Sequence, residues 1–348
     1  MLDSRLPLAL DGRRIALPGE GPGVCAYASP AALLAGDDLE SAAATPLLLV
    51  HSVNASASAA EMRPLFERYG PRRPTLALEL PGFGTSQRGP LDYSPGMMVQ
   101  SVLRAARYLR SAGFTQPIDV LGLSLSCEFV AMAVLHQPSW FRTVALVSPT
   151  GLKSGDDERF ERGKTKEQAW LRKVLTGPFG EAIYRLLTTP SSMRWFLERA
   201  WGSPVIDEAL LEYEHITARC PGARFAPAAF ISGALFTKGI AEQYAQIAQP
   251  VWLAHGVRGE FSDFGGLSQI GPPPNWSWDT FSTGAMPHLE LPRLFTARYD
   301  AFQERVAVNA AALRTAAVVE PTRDTAFADT GAARDARRWS HATAAVTR

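Results

Sequence analysis

Residues 118–135, IDVLGLSLSCEFVAMAVL, constrain this chain more than any other stretch. An apolar run from Ile118 to Leu121 passes through Gly122-Leu123-Ser124-Leu125-Ser126 directly into a helix. Phe129, Val130, Ala133 and Val134 fall at helical spacing, and Pro138 stands just past the end. A serine on so sharp a strand-to-helix turn is pushed out of the sheet with its hydroxyl exposed. The free N–H groups and positive dipole end of the next helix lie beside it. The turn is strained and needs small flanking residues, a condition that Gly122 and Ser126 meet. The bland alternative is an ordinary βα turn in which Ser124 caps the helix.

The rest of the chain repeats the same alternation. RRIALPG and GVCAYAS, with RLPLAL ahead of them, suggest an opening antiparallel pair at a sheet edge. TPLLLVH (45–51), TLALEL (75–80), TVALVS (143–148) and PVWLAHGV (250–257) are short apolar runs expected for strands buried on both faces, and WSWDTFS (276–282) is a candidate last strand. Between them lie helix signals. Ser58-x-x-Glu61 offers a capping box for a helix through Tyr69, and Ser94-Pro95 opens a helix with Met98, Val99, Val102, Leu103, Ala106 and Leu109 on one face. Strands alternating with amphipathic helices predict an α/β fold with a mostly parallel sheet and right-handed crossovers.

From 152 to 248 the rhythm changes to charged helical segments rich in tryptophan and phenylalanine, with no buried strand. The organisation expected is a core of residues 1–151 and 249–317, a helical insertion over 152–248, and a polar, disordered tail over 318–348. A closing helix is expected over 292–313.

Composition narrows the function. With a formal net charge of +1, the chain has no basic surplus for nucleic acid or acidic membranes. The three cysteines, Cys25, Cys127 and Cys220, are far apart and suggest reduced thiols in a cytoplasmic setting. No signal peptide opens the sequence, no run is long enough to span a bilayer, and no histidine or cysteine spacing indicates a metal. No cofactor is implied.

Five segments in order, VHSVNAS, ELPGFGTS, GLSLS, RGEFSDF and GAMPHLE, resemble motifs of the α/β-hydrolase superfamily over roughly residues 20–310. GLSLS is similar to its nucleophile elbow G-x-S-x-G, with Ser126 for the last glycine. ELPGFGTS is similar to its D-x-P-G-x-G-x-S loop, with Glu79 for the aspartate and no catalytic role. The resemblance implies the α/β-hydrolase fold with a helical cap, and a serine hydrolase that cleaves an ester or similar acyl bond through an acyl-enzyme on Ser124. It implies a base and an acid in the chain order Ser, acid, His. His288 is the histidine that fits, although the superfamily's usual position is occupied by Ala285. RGEFSD is similar to a superfamily acid motif and points to Asp263, with Glu260 as the alternative. The oxyanion hole is expected from the N–H groups of Val53 and Leu125.

The aromatic-rich insertion, expected to line the pocket, predicts a small to medium hydrophobic ester as substrate. The protein is expected to act alone or as a homodimer. Two function classes remain in play: the serine hydrolase (or an acyltransferase or lyase on the same fold), and a non-catalytic ligand-binding homologue, which the missing histidine motivates.

Overall fold

The computed structural model describes residues 6–33, 44–155, 159–267, 271 and 273–319, with side chains as far as 312. Among them, β1 (Arg13–Leu17), β2 (Val24–Ala28), β3 (Leu47–Val50), β4 (Thr75–Glu79), β5 (Ile118–Leu123), β6 (Phe141–Val147), β7 (Val251–Gly256) and β8 (Trp276–Phe281) form one sheet. Its order is β1-β2-β4-β3-β5-β6-β7-β8. The first two strands pair antiparallel at one edge, β2 runs antiparallel to β4, and every pairing from β4 to β8 is parallel. Among the described residues, 6–10 of RLPLAL add no strand. Pro7 removes a ladder N–H, and the run bends so that Ala9 N–H donates to the Tyr27 hydroxyl at 3.1 Å.

The apolar runs are buried on both faces because strand side chains alternate. Leu48, Val50, Val120, Val144, Leu146, Val251 and Leu253 share one core layer, while Leu47, Leu49, Leu121, Ala145, Val147, Trp252 and Ala254 share the other. After α1 (Pro30–Leu33), the second layer is covered by a 3₁₀ turn at Ala59–Met62, which runs into α2 (Arg63–Tyr69). The first is covered by α3 (Pro95–Ser111) and α4 (Ser126–His136). Ser94 opens α3 as expected, its hydroxyl accepting from Met97 N–H at 3.3 Å. At the start of β5, the buried Asp119 carboxylate accepts from Arg142 at 2.8 and 2.6 Å, from Arg73 at 2.5 Å and from Thr143 at 2.7 Å. This pins the end of the strand opposite Ser124.

Between β6 and β7 the chain forms α5 (Ala169–Thr176), α6 (Gly180–Leu187), α7 (Pro190–Trp201), α8 (Glu208–Ala218), α9 (Phe225–Ile231) and α10 (Ile240–Tyr244). This insertion lies on the loops that leave the C-terminal ends of the strands. Tyr184 donates to the Ala55 carbonyl at 3.0 Å, Thr237 N–H to Glu128 at 2.8 Å, and Ala285 N–H to the Ala200 carbonyl at 2.8 Å. After β8 come α11 (Pro287–Glu290) and α12 (Pro292–Val319). A second unit begins at Ala307 and carries the rest of α12; most of the tail expected over 318–348 lies outside the described residues.

Candidate active site at the end of strand β5

Ser124 leaves β5 with φ of 55°, in the left-handed region that costs a non-glycine residue about 1–3 kcal/mol unless its surroundings fix it. Here they do. Its N–H donates to the Val147 carbonyl at 2.8 Å, and its own carbonyl accepts from Cys127 N–H at 3.0 Å. Gly122 is required for the close approach of α4: a side chain there would meet Val130 at 3.0 Å and the Ser126 carbonyl at 3.2 Å. Ser126, which stands for the usual glycine, is buried, and its hydroxyl donates to the His51 carbonyl at 2.5 Å. The departure therefore adds a bond, one that ties the start of α4 to the end of β3.

The loop after β3 carries His51, Ser52, Val53 and Asn54. Asn54 is a turn former, its Oδ1 accepting from Ser56 N–H at 2.7 Å. Ser52 gives both its N–H and its hydroxyl to Glu61, at 2.7 and 2.8 Å. Among the described residues, neither Val53 N–H nor Leu125 N–H donates to another acceptor outside regular helix and strand bonding.

The structure does not bring the rest of the expected triad to Ser124. His288 is fully buried on α11 against Phe295, and its Nε2–H donates to the Glu61 main-chain carbonyl at 2.9 Å. Its Nδ1 has no partner among the described residues, so no hydrogen bond joins it to Ser124 or Asp263. Burial pulls its pKa down to about 4, which leaves the ring neutral. Asp263 is exposed, and its Oδ1 accepts from the Ser154 hydroxyl at 2.8 Å and Gly265 N–H at 3.0 Å. Those contacts, Gly265 first, hold its carboxyl below the usual range. Glu260 is ion-paired to Arg199. The physical reason for His288 is local: Pro287 starts a one-turn helix, Glu290 accepts Gly284 N–H at 2.6 Å, and the turn between them aims position 288 into the core. His255, at the end of β7, bonds its Nδ1 to the Gly256 carbonyl at 3.0 Å and packs on Phe264.

No family model and no curated protein matches this chain, but solved structures do. A serine hydrolase involved in carbazole degradation matches 84% of this chain and 99% of its own at 13% identity, with a TM-score of 0.64. The 2-hydroxy-6-oxo-6-phenylhexa-2,4-dienoate hydrolase of a Rhodococcus species matches 84% and 99% at 14% identity, with a TM-score of 0.61. A carboxylesterase of Bacillus subtilis matches 84% and 92% at 14% identity, with a TM-score of 0.60. The chain has the α/β-hydrolase fold.

On that fold the insertion departs from expectation. Trp170, Phe179, Trp195 and Phe196 are exposed to solvent, Trp201 is buried, and Phe225, Phe230 and Phe236 pack against the core. Four of the eight rings therefore face solvent, and three pack against the core layer that holds Leu125. A cavity of about 230 Å³ lies within the insertion, lined by Glu181, Tyr184, Arg185, Ala218, Arg219, Cys220, Ala223 and Arg224. Tyr184 also borders a cavity of about 10 Å³ beside Ala55, Ser56 and Ala57. Over the loops that follow β7 and β8, the end of α7 is packed tightly: any side chain at Gly284 would run into the Ala200 carbonyl, and Gly202 abuts Gly259.

Three buried carboxyls escaped the sequence reading. Glu61 is not a capping residue; its carboxylate goes to Ser52 and Asn54. Glu214 meets it from α8. Glu128, one turn into α4, accepts from Thr150 at 2.5 Å and from Thr237 N–H at 2.8 Å, and burial pushes it up to about 7. A glutamate in an otherwise apolar helical stretch, as in SCEFVAMAVL, is the one signal that was available for Glu128.

Proposed function

We propose that this protein is a hydrolase that cleaves a carboxylic ester or similar acyl bond through an acyl-enzyme on Ser124. The observation that carries the reading is the strained backbone of Ser124, held at φ of 55° between β5 and the start of α4. Such strain persists only where surrounding structure enforces it, and it places a hydroxyl beside unclaimed helix N–H groups. The hydrolases that share the fold support the same class. On this reading Ser124 attacks the acyl carbon, and Val53 and Leu125 donate their N–H groups to the oxyanion. His288, partnered by Asp263, takes the serine proton and returns it to the leaving group. That role requires the loop 284–290 to move His288 off the Glu61 carbonyl. The insertion is then the cap, and a small to medium hydrophobic ester is the substrate class, supported by Phe225, Phe230 and Phe236 packed inward from the insertion.

One observation favours a second reading. Ala285 occupies the usual base position and His288 is spent on Glu61, which suits a ligand-binding homologue whose serine is not activated. A fluorophosphonate probe separates the two: the hydrolase labels at Ser124, and the binding homologue does not. A panel of p-nitrophenyl esters, from short to long and including an anionic one, then gives the substrate class.

A further inference from the structure

One side chain holds most of the polar groups of the loop after β3. Glu61 Oε2 accepts Ser52 N–H at 2.7 Å, and Oε1 accepts the Ser52 hydroxyl at 2.8 Å and Asn54 Nδ2 at 3.1 Å. Opposite it stands Glu214 of α8, whose Oε2 accepts from the Ser56 hydroxyl at 3.3 Å and whose Oε1 has no N–H or O–H donor. The residues are 0% and 2% exposed, and the two carboxyls lie close enough that each bears on the other's ionisation. Two carboxylates only accept, so one member must hold a proton. Glu61 has three other donors that favour its anion; Glu214 Oε1 is the oxygen left to carry the hydrogen.

We infer that Glu61 and Glu214 are a shared-proton pair that positions the Ser52–Asn54 loop and seats helix α8 on it. The Glu214 O–H donates to the Glu61 carboxylate, and the pair carries one negative charge. Loss of that proton leaves two buried anions that repel each other across the junction between insertion and core. Burial raises both carboxyls, and the nearby Glu61 charge raises Glu214 further. The ionisable groups brought near by packed elements are His51 from the end of β3, Glu79 from β4, His288 from α11, and Tyr213 and His215 beside Glu214. Burial holds His51 and His288 neutral, both pulled down to about 4. Glu79 is spent on Ala59 and Thr85 N–H groups. Arg68 of α2 is spent on Asp300. Among the described residues no lysine or arginine forms a salt bridge with either carboxyl. The consequence for Ser124 rests on the hydrolase reading; the pair itself does not.

The test compares the thermal midpoint of the full chain from about pH 5 to about pH 8 with that of Glu214→Gln, whose amide still donates to Glu61 at every pH. A raised carboxyl stabilises below its unfolded value and loses that contribution as pH climbs. The wild-type midpoint should therefore fall relative to the variant by about 4 °C or more across the range, leaving the variant the more stable at the alkaline end. A constant offset between the two curves overturns the pair. Should Glu214→Gln not fold, hydrogen-exchange protection of α8 in the wild type decides, since it should fall with pH while that of α3 holds. Equal behaviour of the two helices overturns the inference. Fluorophosphonate labelling of Glu61→Gln, expected at least ten-fold slower than wild type, reads the loop. A wild type that does not label removes the hydrolase reading and leaves the midpoint comparison to judge the pair.

Discussion

His288 donates its Nε2–H to the main-chain carbonyl of Glu61 at 2.9 Å, and this bond joins the turn after β8 to the turn that follows the Ser52–Asn54 loop. Both partners are buried. Truncation to alanine would leave an unpaired carbonyl and a cavity against Phe295, so His288→Ala should lower stability by about 2–4 kcal/mol. Urea unfolding measures it. A loss below about 0.5 kcal/mol would mean that the ring is not the packing element it is taken for.

Asp263 is expected to behave in the opposite way for folding. It is exposed and, among the described residues, bonds Ser154 and Gly265. Asp263→Asn should leave the unfolding midpoint essentially where it is, as an exposed loop carboxylate does. If Asp263 partners His288 in turnover, the same variant loses ester hydrolysis by about ten-fold or more while the fold is kept. Unchanged turnover in an active enzyme would remove Asp263 from the mechanism.

Ser126 offers a cleaner probe of the elbow. Ser126→Gly restores the common small residue but deletes the hydroxyl bond to the His51 carbonyl. It should cost about 1 kcal/mol and slow the reaction of Ser124 with a fluorophosphonate, because the loop that carries Val53 then loses its tie to the start of α4. Labelling at the wild-type rate would show that this tie has no part in shaping the site.

Glu128 sets a pH dependence of its own. Burial raises its carboxyl to about 7 despite the favourable bonds from Thr150 and Thr237. The folded state therefore holds the proton more tightly than the unfolded chain. The stabilisation is complete below about pH 4.3 and is lost as pH rises through about 7, a change of about 3–4 kcal/mol. Glu128→Gln should flatten that part of the curve. Denaturant titrations at several pH values give the slope, and an unchanged slope in the variant would assign the decline to other groups.

The framework of the fold was legible because local pattern and tertiary role agree in it. Ile118 to Leu121 and Leu47 to Val50 are apolar runs of strand length, and they are buried strands on both faces of one sheet. Ser124 was legible because the period changes from 2 to 3.6 across it, with Gly122 and Ser126 small on either side. Glu61 was misread for a specific reason. The spacing from Ser58 suits a capping box, and Ser58 does bond Ala60 N–H, but the carboxylate finds stronger donors in Ser52 and Asn54. The cap's second partner is Glu79, whose Oε1 accepts from Ala59 N–H at 3.0 Å. Glu214 stands four residues after Leu210 and three after Leu211, on the buried face of α8, but a glutamate in a helix of charged residues is read as solvated unless that spacing is followed. The direction of His288 is set by the one-turn helix from Pro287 together with Phe295 and the Glu61 carbonyl, contacts that chain order does not encode.

The central claim is that Ser124 is an activated nucleophile. Incubation of the full chain with a fluorophosphonate probe, followed by peptide mass spectrometry and run beside Ser124→Ala, tests it most directly. The account predicts stoichiometric modification of Ser124 in the wild type, none in the variant, and loss of ester turnover in parallel. A folded wild-type protein that stays unmodified, or a Ser124→Ala protein that keeps a tenth or more of the ester turnover, would contradict it.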